Sequence, residues 1–130
     1  MGITNYRLDV TTDASGAATV YSEGGVKGLV EQIRYTPDAG SPLATGSDIV
    51  LSEENTGLPI VTKANIGTSA FTLAPRQPTH LNSDGSAALY AAAGAAVLSR
   101  IALTGGRIKL VVAEGGNTLS GRFDVAVRDT

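Results

Sequence analysis

The chain's single histidine, His80, lies close in sequence to Asp84 and Ser86, and no other trio comes nearer to a hydrolytic set. A nucleophilic serine needs an imidazole to take its proton and a carboxylate to orient that imidazole. No Gly-X-Ser-X-Gly run marks a nucleophile elbow, so His80, following Pro78-Thr79, reads as a loop residue. Without cysteine, one histidine cannot furnish the three or four ligands of a zinc site unless carboxylates take an unusual share. Glu53-Glu54 puts two carboxylates side by side. A glycosidase dyad needs an apolar pocket that raises one pKa, whereas adjacent residues diverge on a strand and are solvated in a turn. The pair is therefore expected to be solvated turn charge. Asp38 and Asp48 flank a loop that lacks the Asp-X-Asp-X-Asp-Gly ladder of a calcium site. The clusters Gly24-Gly25-Val26-Lys27-Gly28, Gly105-Gly106-Arg107 and Gly115-Gly116-Asn117 lack the Gly-Lys-Ser/Thr ending of a phosphate loop. Hairpin turns that need positive φ account for them. The reading is of a chain with no enzyme activity, no cofactor and no metal.

Composition narrows the class further. At 130 residues the chain is expected to form one domain, spanning 1–130, large enough to bury roughly two-thirds of its unfolded surface. Hydrophobic residues make up 42 %, aromatics 5 %, and tryptophan is absent, so the core must be built from Val, Ile, Leu and Ala. Charged residues are 17 %, below the quarter usual for soluble domains, and there are 16 glycines. A surface of short side chains loses little rotamer entropy when covered, which suits a subunit of an assembly. The net charge is −2, and the ten basic residues form no run, so no nucleic acid partner is expected. The absence of cysteine fits folding in a reducing cytoplasm. The first ten residues lack the apolar stretch of a signal peptide, and Ala87–Leu98 is too short to span a bilayer; no membrane partner is expected.

The elements that must position these residues are strands. Tyr6, Leu8 and Val10 alternate with Arg7, Asp9 and Thr11, and Asp13-Ala14-Ser15-Gly16 turns the chain into a return strand at Ala18–Val20, an N-terminal hairpin. Further strands are expected over 26–36, 48–52, 58–62, 69–73, 97–103, 107–113 and 120–128, the last three as an antiparallel meander. Tyr35 and Phe123 alternate with core positions, and Phe123, Val125 and Val127 face inward. The pattern fails over 87–96, where a single helical turn or a flat loop of small residues is expected. About eight strands at this spacing predict an all-β fold, an antiparallel β-sandwich or a jelly-roll-like barrel. Residues 1–5 are expected to form a flexible N-terminal arm that orders on binding. Ile3 and Asn5 in that arm, with Tyr6, Tyr21 and Tyr90, are the candidate protein-contact residues.

Several phrases resemble those of short structural proteins of tailed bacteriophages. They are Asn5-Tyr6-Arg7-Leu8-Asp9-Val10-Thr11-Thr12-Asp13, Gly28-Leu29-Val30-Glu31-Gln32-Ile33-Arg34-Tyr35-Thr36-Pro37-Asp38, Ala88-Leu89-Tyr90-Ala91-Ala92-Ala93-Gly94 and Arg107-Ile108-Lys109-Leu110-Val111-Val112-Ala113-Glu114-Gly115-Gly116. The resemblance covers strand and turn phrases, with no catalytic signature. It implies a non-enzymatic virion protein, folded in the host cytoplasm: a capsid decoration or cement protein that packs on the major capsid protein and forms homo-oligomers. The alternatives are a neck or tail component of the same virion, or a carbohydrate-binding β-sandwich of a fibre or spike. The last is weakened by the scarcity of rings on which a sugar face can stack.

Overall fold

The computed structural model describes residues 2–129. Ten strands form two antiparallel sheets, and the described residues include no helix. The strands are β1 (Ile3–Thr11), β2 (Ala18–Tyr21), β3 (Lys27–Pro37), β4 (Asp48–Glu53), β5 (Pro59–Lys63), β6 (Phe71–Leu73), β7 (Arg76–Pro78), β8 (Leu98–Thr104), β9 (Ile108–Ala113) and β10 (Ser120–Arg128). The six-stranded sheet runs β1-β10-β3-β8-β7, with β6 also on β3; the four-stranded sheet runs β2-β9-β4-β5. The fold is an all-β sandwich.

Alternation makes each strand amphipathic, and the apolar sides of both sheets meet in one core. Leu8, Val10, Ile33, Tyr35, Ile101, Phe123 and Val125 come from the six-stranded sheet, and Ile49, Leu51, Ile108, Leu110 and Val112 from the other. Tyr35 stacks on Phe123 with ring centroids 4.8 Å apart and meets Phe71 at 5.3 Å, which gathers the core aromatics into one cluster. Both Tyr35 and Phe123 are buried, as their alternation requires.

Strand pairing departs from the hairpin-and-meander expectation. β1 pairs with β10 and β2 with β9, so Asp13–Gly16 crosses from one sheet to the other instead of closing a hairpin. Asp13 Oδ1 holds this corner by accepting the Ser15 and Ala17 amides at 2.9 and 3.0 Å. The buried Thr12 hydroxyl ties it down, donating to the Gly116 carbonyl at 2.7 Å and accepting from the Leu119 amide at 2.9 Å. Likewise β8, β9 and β10 alternate between sheets and do not form a meander. Period-two alternation fixes which face of a strand is buried, but a sandwich offers each buried face two sheets to join.

The expected N-terminal arm is also corrected. Ile3, Thr4 and Asn5 belong to β1, opposite Arg128, Val127 and Ala126, and the Asp129 amide donates to the Gly2 carbonyl at 2.9 Å. Pairing with the long terminal strand engages those of their backbone groups that face β10. Met1 lies outside the described residues. The chain re-enters the six-stranded sheet at β7 after Pro75, and Pro78 is accommodated because β7 is an edge.

Candidate interaction surface

Glu53 shows first how the carboxylates are used. It continues the inward series Ile49-Leu51-Glu53 and is buried, contrary to the expectation of solvated turn charge. Its Oε2 accepts the Thr104 and Gly106 amides at 2.8 and 3.1 Å, and its Oε1 accepts the Thr56 hydroxyl at 2.9 Å. Burial alone pushes this carboxyl up. The amides and hydroxyls outweigh burial and hold it below its ordinary value. Gly106 is required here by space, because a Cβ would stand 2.4 Å from Asn55 Cβ. Glu53 is a clamp that fixes the β8–β9 turn, where the chain crosses between the sheets, on the β4–β5 turn of the four-stranded sheet. Glu54 remains outside and forms a two-pronged pair with Arg107, at 2.7 Å for each contact.

The residues that resembled a hydrolytic set are turn chemistry. Ser86 gives its hydroxyl to Asp84 Oδ1 at 2.7 Å and its amide to the same oxygen at 3.0 Å, while His80 bridges Ala87 through its backbone. No group of three or more His, Asp or Glu suited to a metal occurs among the described residues.

That turn belongs to a segment unlike the rest of the molecule. Between β7 and β8, residues 79–97 leave the sandwich as an arm of two small loops. The loops meet where the Thr79 amide donates to Val97, the Ala88 amide to Thr79 and the Val97 amide to Ala88, at 2.7, 2.7 and 2.8 Å. The first loop closes with His80 opposite Ala87, the second with Leu89 opposite Ala96. No helical turn forms over 87–96. Gly94 and the positive φ of Ala93 make a tight turn there. Fifteen of the sixteen residues from His80 to Ala95 are exposed, and no residue of the arm belongs to the core or packs against it. Leu81 and Leu89 are each 45 % exposed, Tyr90 76 %, and neighbouring Leu98 57 %. Large apolar side chains exposed on an element without a core make the arm a candidate contact surface.

The two outer faces of the sandwich differ. On the six-stranded sheet, six of the seven arginines point outward: Arg7, Arg34, Arg76, Arg100, Arg122 and Arg128, against Asp9, Asp124 and Glu31. One row across the strands reads Arg7–Asp124–Arg34, and the next Asn5–Ala126–Gln32, with an open concavity of about 370 Å³ over Ala126. A β-bulge between Ala126 and Val127 leaves Glu31 as the extra residue of β3. Glu31 accepts from Arg100 at 2.5 Å and from Arg128, and these guanidiniums, Arg100 foremost, hold its carboxyl below the ordinary range. The four-stranded sheet instead presents the cross-strand row Thr19–Val111–Val50–Thr62, with Lys109 and Asp48 on either side and the Arg107–Glu54 pair beyond Lys109.

The five expected contact residues are spread over the molecule. Ile3 and Asn5 lie on the outer face of β1, and Asn5 borders the concavity. Tyr6 packs partly against the core. Tyr21, on an edge of the four-stranded sheet, is capped by the Arg107 guanidinium 4.2 Å from its ring. Tyr90 sits on the arm at the β7–β8 side, the opposite edge of the six-stranded sheet from β1. The arginine face is absent from the sequence-level expectation because its members are scattered along the chain. Their outward parity is legible, their convergence is not.

No family model matches the chain, and no curated protein matches it. Among solved structures, a chain described as FLHE aligns with a TM-score of 0.44 and 13 % identity, covering 99 % of this chain and 100 % of that one. A likeness that loose carries no shared function. No helix among the described residues is long and apolar enough to cross a membrane.

Proposed function

We propose that the chain is a non-enzymatic structural protein of a tailed-bacteriophage virion that decorates the head by packing on the major capsid protein. The observation that carries this reading is the arm 79–97, whose exposed Leu81, Leu89 and Tyr90 lack any core of their own. Burying them on a neighbouring surface gains roughly 1 kcal/mol for each half-exposed leucine and more for Tyr90, and seven alanines in the arm lose no rotamer freedom on contact. The resemblance to phage structural proteins supplies the identity of that surface. A subunit that binds the assembled shell and not the loosened one stabilises the shell by mass action. Many copies with modest contacts hold firmly through multivalency.

The test is to mix the purified protein with empty capsids of the phage that encodes it and count the copies retained per particle. Saturable binding at hundreds of copies, with the capsids more resistant to heat, is the expected result. A dozen copies or fewer moves the assignment to the neck. Absence of binding removes the capsid reading and directs attention to tails and glycans.

A further inference from the structure

We infer that the outer face of the six-stranded sheet is a docking surface for an acidic protein partner, which it recognises through pre-oriented guanidiniums. The inference deepens the capsid reading by naming a second contact face and the chemistry of what meets it. Arg7 and Arg122 donate through Nε to Asp9 and Asp124, at 3.0 and 3.2 Å, and Arg100 donates through Nε to Glu31. The terminal nitrogens of these three arginines donate to no described residue. Each guanidinium is thus held side-on by a carboxylate of its own sheet while its fork stays available for a second one. That arrangement pays the ordering entropy of a long side chain before the partner arrives. Arg34, exposed in the row Arg7–Asp124–Arg34, has neither an ion pair nor a hydrogen bond of its side chain among the described residues.

Charge complementarity selects the occupant. Six arginines against three carboxylates leave the face cationic on a chain whose net charge is −2. Yet the three carboxylates stand between the arginines, where they would repel the continuous phosphates of a nucleic acid. The inner rows, Asn5–Ala126–Gln32 and Arg7–Asp124–Arg34, hold no aromatic ring on which bases could stack. A protein surface carrying spaced carboxylates meets both conditions, and arginine is the basic residue enriched at such interfaces.

Three ligands are titrated against the full-length protein: empty capsids, a polyglutamate peptide and a single-stranded oligothymidylate. The variants are Arg34→Glu, Arg34→Lys and the triple R7E/R34E/R122E, each first shown to melt as the parent does. The parent is expected to bind polyglutamate more tightly than oligothymidylate, with an affinity that falls as salt rises. The triple variant should lose about tenfold or more for polyglutamate and for capsids, Arg34→Glu less, and Arg34→Lys least. If the triple variant does not melt as the parent, Arg34→Glu alone decides, because that side chain supports no internal contact. Undiminished polyglutamate binding by the charge-reversed proteins, or no binding by the parent, overturns the inference. Tighter binding of oligothymidylate also overturns it and makes the face a nucleic acid surface. Capsids that fail to bind the parent overturn the capsid reading alone, since the polyglutamate comparison still decides this one.

Discussion

The sandwich body and the arm 79–97 solve opposite problems with one chain. The body encloses Tyr35, Phe123 and a set of branched aliphatic side chains between two sheets, and even its buried carboxylate, Glu53, has every near donor satisfied from inside. The arm encloses nothing: it is held by a few backbone hydrogen bonds at Thr79, Ala88 and Val97 and shows its large side chains to solvent. Stability and interaction are therefore separable in this protein. Substitutions in the core of the body should cost folding, whereas those in the arm or on the outer arginine face should cost docking.

The sharpest break on the body side is Phe123→Ala, which empties the aromatic cluster with Tyr35 and Phe71. Urea denaturation should show a loss of about 3–5 kcal/mol. Next comes Glu53→Ala, which strands the Thr104 and Gly106 amides in a buried site and should cost about 2–4 kcal/mol; Glu53→Gln should cost less, because an amide oxygen still accepts. The pH dependence has a definite sign. The folded Glu53 carboxyl is held below its ordinary value of 4.5, so its contribution is complete above that pH and is lost as pH falls through the folded value. Glu31 and Glu54 act in the same direction. Denaturation at about pH 7 and about pH 3 should show the parent losing more stability on acidification than Glu53→Gln.

A smaller effect is expected at Tyr35, whose buried hydroxyl has no well-formed hydrogen bond among the described residues, although the Leu43 backbone approaches it. Tyr35→Phe should be neutral or stabilising by up to about 1 kcal/mol, and a marked loss would show that the hydroxyl is engaged. Smallest of all, changing Leu81, Leu89 or Tyr90 singly to serine should alter folding stability by no more than about 0.5 kcal/mol each, measured by the same denaturation. A larger loss would erase the contrast between arm and body.

How much of this was legible in the sequence follows from what alternation encodes. The inward series Leu8-Val10, Ile108-Leu110-Val112 and Phe123-Val125-Val127 identified strands, core and fold class, because burial parity is local. Sheet partners were not legible: Asp13–Gly16 has the residues of a hairpin turn, and only packing decides that it carries the chain between sheets. Glu53 was recoverable by extending Ile49-Leu51 by two residues, but Asn55-Thr56-Gly57 beside it drew the reading toward a solvated turn. Among the expected contact residues, Tyr90 stands exposed on the arm, whereas Tyr21 is capped by Arg107. The arginine face needs five strands laid side by side, which no linear spacing announces.

The proposed role of the arm 79–97 as the docking element is tested most directly by amide hydrogen exchange measured on the free and capsid-bound protein. Exposed backbone over 79–97 should exchange rapidly in the free protein and become protected on the particle, while Tyr35 and Phe123 remain slow in both. Binding that leaves the arm as unprotected as before would contradict the account and move the contact elsewhere on the sandwich.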